Sequence, residues 1–464
     1  MKVIYIFFLI ALVSAGCNKF DSDININPNL PTQASNTQLI GNAELYLPGL
    51  SSTPQGEYNA QFLSETQYPN LSLYNQVSFS FYDLYQGPLM NLEKVIRSNS
   101  FNLLEGPAAN QLAVAKILKA YFFWHITDRW GDVPYSEALL GSVDFRPKYD
   151  KQQDIYDSLF KLLDEANASI VAGNITNDIM YNGDMTKWKK LGNTIHLLMA
   201  LRLSKIDATK GASEFNKALN AGIMTSNNDN FVFKHLPEAA NQNYWYGQIF
   251  GLNRQWWALS KTLVDYMLPL NDPRLPFYGE KNAAGNYVGL TFGQTTGLST
   301  TAYSLLGKNI WKQDAPVYLV TYAQALFALA EAAKLTWIAG GDVTAKTNYD
   351  LAVTNSILQW TGSTAGASTL LGTAGVTYDP ANALKQIAVQ RYVHLFMHGY
   401  EAWAEWRRTG YPDNLVMPGG NAIPRRQGYP SQEYFNNTEN YQEAIQRQFG
   451  GQDNLAGRVW WDKP

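Results

Sequence analysis

The sequence predicts an all-α protein in which packed pairs of amphipathic helices form a scaffold and long loop-rich stretches lie between them. Three observations carry that expectation. Apolar residues recur at three- and four-residue steps over seven blocks of the chain. The stretches between them are long and rich in Asn, Gly, Ser and Thr. One fragment also matches the opening of a helix-pair repeat signature.

Taken in order, residues 1–16 begin with Met1 and Lys2, followed by eleven apolar residues at positions 3–13. Crossing a hydrocarbon core takes about 20 residues, so this is a secretion signal rather than a span. The small residues Ser14-Ala15-Gly16 lead to Cys17, the only cysteine among 464 residues. That arrangement resembles the bacterial lipobox, with Ser14 where the motif usually carries Leu. It implies acylation of Cys17, which then heads the mature chain and anchors it to a membrane surface. Residues 17–37 read as the lipidated tether and 38–464 as the folded domain. The acidic residues Asp21 and Asp23 close behind the anchor resemble export signals that send lipoproteins to the outer face of the outer membrane. With its one cysteine committed to the anchor, the domain has no disulfide and depends on a large buried core.

The first long helical block is 110–128, where Leu112, Ala115, Leu118, Phe122 and Ile126 form one stripe that ends at Gly131 and Pro134. Further blocks follow at 152–170, 187–205, 213–221, 318–338, 345–359 and 381–408. In the fifth, Leu319, Tyr322, Ala323, Leu326, Ala330, Ala333 and Trp337 keep the same period, and Glu331 and Lys334 mark it as a buried helix rather than a span. Trp188, Leu191, Gly192 and Ile195 match the W-x2-L-G-x2-Y opening of a tetratricopeptide repeat, with Ile in place of Tyr. The stretches 222–317 and 361–376 read as loops.

Composition removes several function classes. Thirty-six basic against 39 acidic residues give a net charge of −3, and charged residues are 16% of the chain against the roughly 25% usual for soluble domains. Nucleic acid is therefore not expected as a partner, since phosphate binding needs a concentrated positive field. The serine-hydrolase elbow, the phosphate loop, the dinucleotide glycine motif and the H-E-x-x-H zinc helix are all absent from the sequence. The calcium-like start at Asp21 fails at Ile26 and Thr32, which stand where glycine and glutamate are required.

Two constellations in the last helical block remain. His394, His398 and Glu401 could share one helix face as metal ligands, or be hydrogen-bonded groups of a packed core. Glu401 and Glu405, one turn apart, could act as a glycosidase pair, or be ion-paired with Arg407 and Arg408. The structural alternatives are favoured, so no catalytic residue, metal or cofactor is expected.

The positive signal is aromatic and amide-rich. Asn241, Asn243, Tyr244, Trp245 and Tyr246, with Arg254 nearby, fall in or beside a loop, and Tyr68, Asn70 and Tyr74 form a sparser second cluster. Flat rings stack on the apolar faces of pyranose sugars while amides and guanidinium groups bond their hydroxyls, so these residues suit oligosaccharide binding. Trp256 and Trp257 are expected in the core, because helix-like sequence follows them.

The run Ala115–Tyr135, ending Asp128-Arg129-Trp130-Gly131-Asp132-Val133-Pro134-Tyr135, resembles a helix-and-turn block of the SusD/RagB family of nutrient-binding outer-membrane lipoproteins. Asp272-Pro273-Arg274-Leu275, the stretch Tyr322–Ala332, the stretch Gly399–Pro412, Ile423-Pro424-Arg425-Arg426, Tyr429-Pro430-Ser431-Gln432-Glu433 and Trp460-Trp461-Asp462 extend the likeness over essentially the whole mature chain. The resemblance implies an all-α fold of tetratricopeptide-like helix pairs. It also implies a non-catalytic surface subunit that captures a glycan, or in some members a peptide, and delivers it to a SusC-like TonB-dependent outer-membrane transporter.

Overall fold

A computed structural model describes residues 34–464. The secretion signal, Cys17 and most of the tether lie outside the described residues. The first helix, α1 (Asn36–Glu44), starts two residues inside the segment read as tether. It is set by a capping box: Ser35 Oγ accepts from the Gln38 N–H at 3.3 Å and Gln38 Oε1 accepts from the Ser35 N–H at 3.0 Å.

The longer helices that follow are α2 (Met90–Ile96), α3 (Ala108–Trp130), α4 (Gln152–Ser169), α5 (Met185–Arg202), α6 (Ala208–Ala221), α7 (Tyr322–Lys334), α8 (Gly341–Thr361), α9 (Ala383–His394), α10 (Gly399–Thr409) and α11 (Thr438–Phe449). They pack as consecutive pairs, α3 on α4, α5 on α6 and α7 on α8. This is the all-α, tetratricopeptide-like arrangement that the periodicity predicts. Trp188, Leu191 and Ile195 are fully buried. Gly192 lets α5 close on α3: a Cβ at that position would stand 3.3 Å from the Ile117 side chain. Among the described residues no helix is long and apolar enough to cross a membrane.

Several boundaries differ from the expectation, each for a local reason. The helix expected over 213–221 starts at Ala208, where the Asp207 side chain accepts from the Lys210 N–H. Gly211 does not break it; the missing Cβ leaves room for the Trp337 ring, 2.7 Å from where that atom would be. The block expected over 318–338 divides into a strand and a helix. Thr321 and Gln324 form a second capping box that starts α7 at Tyr322. The block expected over 381–408 breaks at Leu395–His398, with Met397 at φ 64°. There Met397 carbonyl accepts from Ser51 Oγ at 2.6 Å and the Gly399 N–H donates to Glu57 Oε1 at 3.0 Å. The break docks α10 onto the short helix Pro54–Asn59.

The stretches expected as loops carry short elements, including helices Lys261–Met267 and Ala367–Leu371. The described residues also form three two-stranded antiparallel ribbons. β1 (Leu63–Glu65) pairs with β5 (Trp257–Leu259), matching Glu65 to Trp257; β2 (Val133–Pro134) pairs with β3 (Tyr149–Asp150); β4 (Phe231–Phe233) pairs with β6 (Val317–Val320). The largest core runs between α3, α4, α5 and α6. A second, built from Phe62, Trp245, Trp257, Tyr278, Phe396 and Trp403, lies under the β1–β5 ribbon and supports the site.

Candidate functional site

The β1–β5 ribbon brings two distant segments side by side. One residue beyond β1, Thr66 donates to the Trp256 carbonyl through both its N–H, at 3.0 Å, and its hydroxyl, at 2.8 Å. This sets Tyr68 edge-on to Trp256, ring centroids 5.1 Å apart at 78°. From there the rings form a continuous row. Trp256 and Trp257 are 5.3 Å apart, Trp257 and Trp245 meet edge-on at 5.2 Å, and Trp245 and Tyr244 meet edge-on at 5.3 Å.

The row is buried in the middle and open at its ends. Trp257 and Trp245 are 5% and 1% exposed, whereas Tyr68 and Tyr244 are 50% and 37% exposed and Trp256 is half-buried. The buried rings hold the exposed ones rigid, which lowers the entropy lost when a ligand settles on them. Arg254 adds a cation 5.8 Å from the centre of the Trp256 ring, its Nη1 donating to Gln248 Oε1 at 2.6 Å. Trp256 also forms a wall of a cavity of about 240 Å³, shared with Gln255, Asn282, Thr301, Tyr303 and Trp311. Rings with amide and hydroxyl groups around one cavity can hold a flat polyhydroxylated ligand.

Behind the rings, the Trp257 indole N–H donates to the Tyr58 hydroxyl at 2.9 Å, and that hydroxyl donates to Glu65. Burial pushes the Glu65 carboxyl up to about 7, against the lowering effect of the Tyr58 hydrogen bond. Burial likewise raises the Tyr244 phenol.

Of the residues selected from sequence, the fold gathers Tyr68, Tyr244, Trp245 and Arg254 into this row. Trp245 is a supporting member rather than an open face. Its indole N–H finds no partner among the described residues, and its ring lines a separate cavity of about 340 Å³ with Phe277, Tyr318 and Trp360. Tyr246 stacks on the exposed Phe250 at 5.0 Å. Asn243 is buried, its Oδ1 accepting from the Trp245 N–H at 2.8 Å and its Nδ2 donating to the Ala315 carbonyl at 3.0 Å, so it shapes the loop. Asn241 does the same through its Oδ1 and carbonyl on His235 Nδ1, at 3.1 and 3.0 Å. Tyr74 is buried, its hydroxyl donating to the Tyr58 carbonyl at 3.0 Å. It shares a third cavity with the exposed Asn70.

Trp256, expected in the core, packs against the second core while half-buried, with its open part on the ring row and the cavity; Trp311, Tyr303 and Glu65 were not selected at all. No local signal marks Trp256: it lies just outside β5, whose three residues are all buried, and its place beside Tyr68 depends on the distant contact of Thr66 with its carbonyl.

The two constellations of the last helical block have other roles. The break at Leu395–His398 takes His394 and His398 off a common helix face. His394 Nε2 lies 2.7 Å from Thr321 Oγ1 and its Nδ1 3.0 Å from Ser356 Oγ. Glu401 and Glu405 are buried in an ion network. Glu401 accepts from Arg202 Nη2 at 2.5 Å; Glu405 pairs with Arg202, Arg391 and Arg408; and Glu331 bridges Arg391 and Arg408. Burial opposes ionisation of Glu405, but the guanidinium groups of Arg408, Arg391 and Arg202 overcome it and hold its carboxyl well below the usual range. Arg407 is not part of that network; its guanidinium lies on the Trp403 ring at 3.7 Å and donates to the Asp128 carbonyl at 2.7 Å.

Comparison with known proteins decides the family. Residues 28–430 match the SusD-like family described as starch-binding and associating with the outer membrane. The chain belongs to the SusD-like family. Solved structures agree over 92–93% of it. A chitin-binding protein is 29% identical, is covered over 100% of its own length and superposes with a TM-score of 0.80. A SusD homologue from Bacteroides fragilis is 27% identical, is covered over 100% of its length and has a TM-score of 0.80. A chitin-binding SusD homologue from Flavobacterium johnsoniae, at 22% identity, 96% coverage and a TM-score of 0.76, shares the fold. No curated protein matches this SusD-like chain.

Proposed function

We propose that this SusD-like chain is a non-catalytic glycan-binding lipoprotein of the cell surface, held in the outer membrane by an acylated Cys17. It retains an oligosaccharide on Tyr68, Trp256 and Tyr244 and hands it unaltered to a SusC-like TonB-dependent transporter. The observation that carries this reading is the Tyr68–Trp256 pair: two rings pinned together by Thr66, with open surface beside Arg254 and a cavity lined by amides and hydroxyls. The family description and the 29% identical chitin-binding protein support a glycan as the ligand class. The burial of Glu401 and Glu405 among arginines supports capture without cleavage.

Native electrophoresis through gels cast with a panel of polysaccharides tests the reading. Retarded migration in at least one gel, with no new reducing ends after incubation, is expected. Unchanged migration in every gel, or release of reducing ends, contradicts it.

A further inference from the structure

The cavity that Trp245 shares with Phe277, Tyr318 and Trp360 has a volume of about 340 Å³, within the range of about 300–1,000 Å³ usual for ligand sites. Phe277, Tyr318 and Trp360 are each half-buried, so each keeps part of its ring open. Trp360 is fixed from behind: its indole N–H donates to the His394 carbonyl at 3.1 Å, and it meets Tyr278 edge-on with centroids 5.1 Å apart. Tyr318 stands edge-on to Trp360 at 5.4 Å. Two polar atoms of the wall are free and open. Ser52 Oγ has no hydrogen-bond partner among the described residues and keeps contact with solvent. Asn230 Oδ1 accepts from the Tyr322 N–H at 2.7 Å, so Asn230 Nδ2 donates to Gln359 Oε1 at 3.2 Å, and Gln359 Nε2 is left as an open donor. Asn309, Lys312 and Asp314 stand exposed at the rim. Asp314 opposes an anionic ligand and Lys312 a cationic one. A purely apolar ligand would take water from Ser52 and Gln359 without replacing its hydrogen bonds. A neutral ring with an apolar face, and with hydroxyls that both donate and accept, satisfies all of these groups.

We propose that this cavity is a second carbohydrate site that takes one neutral pyranose ring, either a free monosaccharide or the terminal unit of a chain. The middle of a polymer is left to the ring row. No residue lines both this cavity and the one beside Trp256. The second site does not require that the ring row bind glycan.

Saturation-transfer NMR on the full folded chain carrying Tyr68→Ala/Trp256→Ala, which leaves this cavity intact, tests it with the methyl glycosides of glucose, galactose, mannose and N-acetylglucosamine. At least one is expected to receive saturation, so loss of polysaccharide retention in the same variant speaks only to the ring row. Gln359→Ala removes the open donor, and Asn309→Trp puts a ring across the mouth from an exposed position. Each, added to that variant, is expected to weaken binding of the glycoside roughly tenfold. With the disaccharide of the bound sugar, saturation confined to one terminal ring supports the chain end as the source, and no saturation supports the free monosaccharide. Saturation spread over both rings contradicts a one-ring site. The proposal is overturned if no glycoside receives saturation, if cyclohexanol receives as much as every glycoside, or if binding is unchanged by both folded wall substitutions.

Discussion

Tyr68 meets Trp256 edge to face although 188 positions separate them, because Thr66 donates twice to the Trp256 carbonyl at the end of the β1–β5 ribbon. The buried pair Trp257 and Trp245 backs this contact, so the surface rings are fixed by the core beneath them. The proposed binding face is thereby an extension of the second core rather than an ornament of a loop.

Glu65 ties that support to pH. Its carboxyl is raised to about 7 by burial, from 4.5 in an unperturbed chain. Between these values the folded state holds a proton that the unfolded state has released. Its contribution is thus fully present below about 4.5 and is lost as pH rises to about 7, a change on the order of 3 kcal/mol. Urea midpoints at about pH 5 and about pH 8 check this: the wild type should lose stability over that interval and Glu65→Gln should lose distinctly less. An equal loss in both proteins contradicts the assignment.

Glu405 is the hub of the buried ion network, and removing its charge takes one carboxylate from each of three guanidinium groups, leaving Arg202 with Glu401 and Asp128 and leaving Arg391 and Arg408 with Glu331 alone. Breaking a buried pair from one side costs roughly 3–5 kcal/mol. Glu405→Gln is expected to lose about that much in denaturant unfolding, while the folded fraction keeps its glycan retention. A loss under about 1 kcal/mol would show that the network is not structural.

Gly399 is where the break before α10 meets the short helix Pro54–Asn59. A Cβ there would stand 2.1 Å from the Gly56 carbonyl carbon, which is backbone and cannot swing away. Overpacking of this kind costs about 1–3 kcal/mol or more. Gly399→Ala should lower the melting temperature by several degrees; an unchanged value contradicts the close approach.

Legibility in the sequence follows the range of the determinants. The stripes of α3 to α8 and the Trp188–Gly192 signature depend on neighbours a few residues away, and each helix falls on its expected block, although α6 begins earlier and the block of α7 opens with a strand. The Thr321–Gln324 capping box was equally local and marks the true start of α7 after a strand. The break after His394 could not be read locally, because its causes are Ser51 and Glu57. The ring cluster was visible as composition around Tyr244, yet which rings face outward depends on a pairing between residues near 65 and near 257. Trp245 is therefore buried as a support, whereas Trp256 packs on the second core and is half-buried.

The most direct measurement is migration of the Tyr68→Ala/Trp256→Ala variant through a gel containing a polysaccharide that retards the wild type. Each stacked ring contributes about 0.5–1.5 kcal/mol beyond its burial, so removing both should weaken binding roughly tenfold or more and abolish retardation. The melting temperature should stay within a few degrees of the wild type, since Trp257 and Trp245 remain. Undiminished retardation of the doubly substituted, folded protein contradicts the account.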